Sequence, residues 1–193
     1  MILARRPNDR TIARFLDSQA GQRFSYEAVG ATAHSAPAGF LVQRTRSELG
    51  TGAEVFARAK ICLQQWQQFR LGWLRVFPDG APLEVGGVVA ILARVSMLWS
   101  LNACRILEVV DEAGPLHRFE FVYGTLPDHA AKGEERFLVE WDTTDNRVWF
   151  EIYSFSRPNQ LATRLASPLM RKLQRRFCRE SSEAMYAAVT ART

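Results

Sequence analysis

Between Trp73 and Phe155 the chain is a succession of short apolar runs broken by turn residues, and from Pro158 onward it is one long helical pattern. That order constrains the fold more than any other feature. The runs Trp73–Phe77, Val85–Ala93, Arg94–Trp99, Ala103–Asp111, Leu116–Tyr123, Glu135–Trp141 and Arg147–Phe155 carry the β-branched and aromatic residues that suit strands. Val85–Ala93 and Arg94–Trp99 read as two strands or one bent strand. Pro78-Asp79-Gly80, Glu112-Ala113-Gly114-Pro115 and Asp142-Thr143-Thr144-Asp145-Asn146 are turn sequences. Strands joined by turns this short pair antiparallel.

An antiparallel sheet with one apolar face needs a cover. The helix expected from Pro158 supplies it. Leu161, Leu165, Leu169, Leu173 and Phe177, then Ala184, Met185 and Ala188, form one stripe, and Pro168 should kink or split the helix near Ser167. The expected class is α+β: a curved antiparallel sheet of about six or seven strands wrapped around a long C-terminal helix. This is the helix-grip arrangement, and it tends to leave a cavity between helix and sheet. Phe119, Phe121, Phe137, Val139, Phe150 and Ile152 alternate onto one face and should wall that cavity.

Upstream, Asn8 to Gln19 fits a short helix with Ile12, Phe15 and Leu16 on one face, and Phe40 to Arg46 fits a strand. Gly50-Thr51-Gly52 opens a second helix, with Thr51 as N-cap and Glu54 completing a capping box. Its apolar set is Val55, Phe56, Ala59, Cys62, Leu63, Trp66 and Phe69, and Gly72 should end it. A chain of 193 residues, 47% apolar and 23% charged, fits one domain spanning 1–193, with residues 1–20 as a helical extension.

The three cysteines, Cys62, Cys104 and Cys178, lie far apart with no C-x-x-C, which argues against a disulfide scaffold and structural zinc. His34, His117 and His129 show no metal-binding spacing, so neither metal nor cofactor is expected. Val85 to Leu101 is the most apolar stretch, but Arg94 interrupts it and it falls short of the about 20 apolar residues of a membrane helix. Met1 to Arg10 leads into charge rather than an apolar leader. The expectation is a soluble cytoplasmic protein with no transmembrane segment.

The run Tyr123-Gly124-Thr125-Leu126-Pro127-Asp128-His129, closed by Gly133-Glu134-Glu135, carries more chemistry than a bare turn needs. With Val29-Gly30-Ala31-Thr32, Leu49-Gly50-x-Gly52, the helix reaching Trp66, and Phe155-Ser156-Arg157-Pro158, this run resembles the family catalogued as domain of unknown function 1990. The likeness covers the chain from about Phe24 to its end. Asp128 stands where the pattern has a Gly, which stiffens the loop. The resemblance implies the helix-grip superfamily that includes START lipid-transfer domains and the major birch-pollen allergen. It implies no activity.

Alternation places Tyr123 and Glu135 at one end of a hairpin, both on the core face, with His129 on the loop above. A carboxylate on an apolar face needs a cation or a raised pKa, and Arg157 is the expected partner. Glu134 is expected in solvent. Three readings follow. The first is a binding protein for a small apolar or amphipathic molecule, held between sheet and C-terminal helix by Tyr123, His129, Glu135, Arg157, Phe121 and Phe137. The second is a nucleic-acid or membrane-surface adaptor. Net charge is +5, and Arg164, Arg171, Lys172, Arg175, Arg176 and Arg179 form a basic helix face that suits weak anion contact. The third is an enzyme using Glu135 and His129 as an acid–base pair. A bland structural alternative also stands: Glu135 and Arg157 as an ion pair tying hairpin to helix, and the basic face simply solvated.

Overall fold

In a computed structural model of the chain, which describes residues 1–159 and 167–191, eight antiparallel strands form one sheet. The strands are β1 (Ile2–Leu3), β2 (Leu41–Thr51), β3 (Leu74–Phe77), β4 (Val88–Val95), β5 (Leu98–Glu112), β6 (Leu116–Thr125), β7 (Ala131–Asp142) and β8 (Arg147–Pro158). Their order is β2-β8-β7-β6-β5-β4-β3. Strand β1 pairs with the start of the long β5, ahead of the residues where β6 joins it. Register shifts at Glu48/Gly50 and Ile106/Glu108 add local twist and bend the sheet. Helices α1 (Asp9–Ala20), α2 (Ala53–Gln64) and α3 (Ser167–Thr190) complete the fold.

The concave face is the core. Phe119, Phe121, Phe137, Val139, Phe150 and Ile152 pack there against Leu63 of α2 and Phe177, Met185 and Val189 of α3. This is the helix-grip arrangement. A second, smaller core lies on the other face, where Ile12 and Phe15 of α1 cover Ala90, Leu92, Leu101 and Ala103. Strands β4 and β5 are therefore buried on both faces over Val89–Ala93 and Leu101–Cys104, which is why these runs are so apolar. The outer face of β2, β8, β7 and β6 is instead a charged lattice. At its centre Glu151, 1% exposed, accepts hydrogen bonds from Arg44 (2.7 Å), Arg46 (3.4 Å) and Arg136 (2.9 Å). Burial alone would raise that carboxyl, but the bonds from Arg44 and Arg136 hold it below its ordinary range.

Several expected boundaries move. Arg94–Trp99 is not a strand but contains the β4–β5 turn, with Ser96 in the left-handed region at φ 56°. Thr51 ends β2, and Gly52 (φ 89°) is the N-cap of α2 without a side-chain bond, so the capping box does not form. Helix α2 stops at Gln64. Trp66 (φ 57°) then turns the chain into a 3-10 turn, Gln67–Phe69, which brings both Trp66 and Phe69 into the core. Pro158 ends β8 rather than starting a helix, and Pro168 lies in the first described turn of α3. Leu161, Leu165 and Arg164 fall outside the described residues. Of the rest of the stripe, Phe177 and Met185 are buried and Leu173 is half-buried, but Leu169 is 48% exposed. The next section gives the reason.

Candidate functional site

The inward positions of the sheet change size along each strand. On β8 the sequence runs Phe150, Ile152, Ser154, Ser156; on β7 it runs Phe137, Glu135, Gly133; on β6 it runs Phe121, Tyr123, Thr125. On β4 and β5, Ile91 and Cys104 give way to Ala93, Asn102 and Ser100. Large side chains fill one half of the concavity. Small ones leave the other half hollow.

The result is a cavity of about 560 Å³ between this end of the sheet and the first half of α3. Its walls include Phe69, Trp73, Leu74, Ile91, Trp99 and Leu173. Its floor is an aromatic layer: Phe69 stands 5.1 Å from Phe177 and 6.4 Å from Tyr123, centroid to centroid. Leu169 is exposed because it sits on the open rim, with Ile2, Leu41 and Leu98. Phe121 and Phe137, expected as cavity wall, lie behind the floor in the solid core, stacked at 5.0 Å. Phe119, Val139, Phe150 and Ile152 are likewise in that solid half.

Tyr123 and Glu135 pair across β6 and β7 and both face the cavity. The Tyr123 hydroxyl donates to Glu135 Oε2 at 2.5 Å. Burial pushes the Glu135 carboxyl up to about 7, with the Tyr123 bond pulling the other way. Burial and the Glu135 charge raise the Tyr123 phenol, which stays protonated. Arg157 is not the partner of Glu135. Ser154 sits opposite Glu135 in the β7–β8 ladder, so Arg157, an odd number of residues further on, lies on the outer face. There its guanidinium stacks 4.5 Å over Phe40, at the cavity rim.

His129 also lines the cavity. Its Nδ1 lies 3.0 Å from the Ala131 amide, which donates to it, and 2.8 Å from the Ala131 carbonyl. Burial brings the imidazole down to about 4, so it is neutral at pH 7. The loop carrying it is only Leu126–Ala130, since β6 and β7 extend further than the sequence suggested. Asn102 Oδ1 accepts from the Ala130 amide (3.1 Å), and Asn159 donates to the Pro127 (2.8 Å) and His129 (3.0 Å) carbonyls. Asp128 accepts from Gln19 of α1 at 2.9 Å and has no left-handed backbone, so a Gly is not required there.

Glu134 corrects another expectation. It is 2% exposed rather than solvated. Its carboxylate accepts from the Tyr26 hydroxyl (2.8 Å), the Gly30 amide (2.5 Å), and the Thr32 amide and hydroxyl (3.0 Å each). Gly124 sits opposite it in the ladder, and a Cβ there would lie 2.2 Å from the Tyr26 hydroxyl. The motifs at 29–32, 123–127 and 133–135 are thus one device, which straps residues 24–32 to the outside of the sheet. The same dipeptide sends Glu134 outward and Glu135 inward.

The basic helix face is partly neutralised. Arg176 pairs with Glu180 at 2.7 Å and lies 4.6 Å over Trp73, and Arg179 reaches Glu180 and Glu183. Arg171, Lys172 and Arg175 are exposed and make no ion pair among the described residues. No group of three or more His, Cys, Asp or Glu that could hold a metal occurs among those residues, and no described helix is long and apolar enough to cross a membrane.

The profile of a family described as "Domain of unknown function (DUF1990)" matches residues 25–184. A UPF0548 protein of Dictyostelium discoideum is 33% identical over 98% of this chain and 96% of its own length. One from Deinococcus radiodurans is 34% identical over 97% and 98%. Among solved structures, human STARD10 is similar, with a TM-score of 0.46 and 11% identity, covering 95% of this chain and 81% of that one.

Proposed function

The chain belongs to the DUF1990 family, and we propose that it binds a small apolar or amphipathic molecule in the cavity between the sheet and the first half of α3. One observation carries this reading: a hollow of about 560 Å³ lined mainly by apolar side chains, with Tyr123, Glu135, Ser154, Asn102 and His129 among its polar lining. That volume falls in the range of small-molecule sites, roughly 300–1,000 Å³. The ligand's body lies against Trp73, Leu74, Ile91 and Leu173, and its polar end points toward Tyr123 and Glu135. The exposed apolar rim of Ile2, Leu41, Leu98 and Leu169 gives an apolar molecule a way in.

The adaptor reading through Arg171, Lys172, Arg175 and Arg176 ranks lower. Arg176 is already committed to Glu180 and Trp73, and an exposed cation on a helix needs no partner beyond water. The test is native mass spectrometry of freshly purified protein, followed by extraction. A co-purified small molecule lost on Leu173→Trp, which fills the cavity, is the expected result. A bare mass, together with no binding of apolar probes and no effect of filling the cavity, refutes the reading.

A further inference from the structure

The sheet satisfies its buried carboxylates and leaves short a half-buried one that faces the cavity. Glu134 accepts four hydrogen bonds. Glu151 accepts from three arginines. Glu120 lies 3.1 Å from Arg118 and 4.0 Å from Arg136. Glu135 has the Tyr123 hydroxyl on Oε2, and no described residue donates to Oε1 or brings a cationic nitrogen within 4.0 Å. The groups that face it are Tyr123 from β6, Cys104 from β5 and Cys178 from α3, each kept neutral by burial. Directly across the ladder, Ser154 keeps its Oγ buried without a partner. The rim cations do not answer Glu135 either: Arg157 packs over Phe40, and Arg171 is exposed.

A carboxylate at the wall of an apolar cavity without a counter-charge is costly once a ligand displaces its water, and one charge-assisted bond does not offset that. A ligand nitrogen that carries both positive charge and N–H donors would supply what is missing. An anionic head placed here would meet like charge. We propose that the molecule taken by this cavity bears a cationic nitrogen, a primary or secondary amine on an apolar body, which donates to Glu135 Oε1 and to Ser154 Oγ. This rests on the ligand-binding reading above and narrows it to a chemical class.

Three probes with the same chain test it: decylamine, decanol and decanoate. Binding is followed by calorimetry and by the fluorescence of Trp73 and Trp99, which line the cavity. At about pH 8 the amine is still protonated, since alkyl ammonium groups titrate near 10. Decylamine should bind about tenfold or more tighter than decanol, with decanoate weakest. Glu135→Gln should erase the amine's advantage over decanol. The ranking in the unaltered protein stands as a test even if that variant folds poorly. Equal binding of decylamine and decanol, tighter binding of decanoate, or an amine preference that survives Glu135→Gln would overturn the proposal while leaving the ligand-binding reading intact. Failure of all three probes to bind would overturn both.

Discussion

Replacing Glu134 by Ala should loosen the strap that crosses the outside of the sheet. The carboxylate takes four donors at 2.5–3.0 Å, and three of them sit on Tyr26 and Thr32, which are 7% and 5% exposed. The Gly30 amide lies on an exposed residue and can turn to water. Each buried donor left unpaired costs about 1–3 kcal/mol, so the loss should be about 3–9 kcal/mol, with the low end reached where water fills the vacated space. Glu134→Gln keeps the shape and one acceptor oxygen, and should cost about 2 kcal/mol. Tyr26→Phe should cost about 1–2 kcal/mol, and the double variant should cost less than the two together because they share one bond. Urea unfolding measures the global effect, and hydrogen exchange at the Gly30 and Thr32 amides measures local opening. An unchanged midpoint together with unchanged protection of both amides in Glu134→Ala would refute the strap.

Gly133→Ala should abolish folding or leave the protein insoluble, because at φ 148° its Cβ would fall 1.9 Å from the Phe155 carbonyl oxygen; soluble yield and melting temperature report this. Phe177→Ala removes part of the cavity floor and should cost about 3–5 kcal/mol, whereas Leu169→Ala on the open rim should change stability by less than about 0.5 kcal/mol, both read from chemical denaturation. For Glu135 the folded pKa, about 7, lies above its ordinary value of 4.5, so the folded state holds the proton more tightly. That contribution is full below about pH 4.5 and is lost as pH rises through 7. Glu135→Gln should therefore match the parent near pH 4.5 and exceed it by up to about 3 kcal/mol above pH 7; a constant difference across that window contradicts the assignment.

The architecture was legible because alternation and turn chemistry act locally. The runs from Leu116 to Phe155 gave three strands in the right order, and Leu173, Phe177 and Met185 gave a helix facing them. Boundaries drifted where a single backbone torsion decides. Ser96 and Trp66 adopt left-handed conformations that their side chains do not announce. The pairing of Tyr123 with Glu135 followed from hairpin register. Arg157 failed as a partner because β8 runs three residues past Phe155, and parity then put it outside. The burial of Glu134 is not legible in the sequence because its donors lie more than 100 residues away. The hollow was also written in the chain, as the change from Phe150 and Ile152 to Ser154 and Ser156. It becomes readable only once the neighbouring strands are aligned beside it.

Because one half of the concavity is filled and the other is not, the two halves tolerate substitution differently. Phe121, Phe137 and Phe150 cannot change without loosening the packing that holds the strands to α2 and α3. Ala93, Ser100, Ser154 and Ser156 border empty space, so a larger or differently shaped side chain there alters the contour of the hollow rather than the frame around it. A scaffold partitioned in this way can change the shape of its hollow by a few substitutions at its small residues, while its frame stays intact.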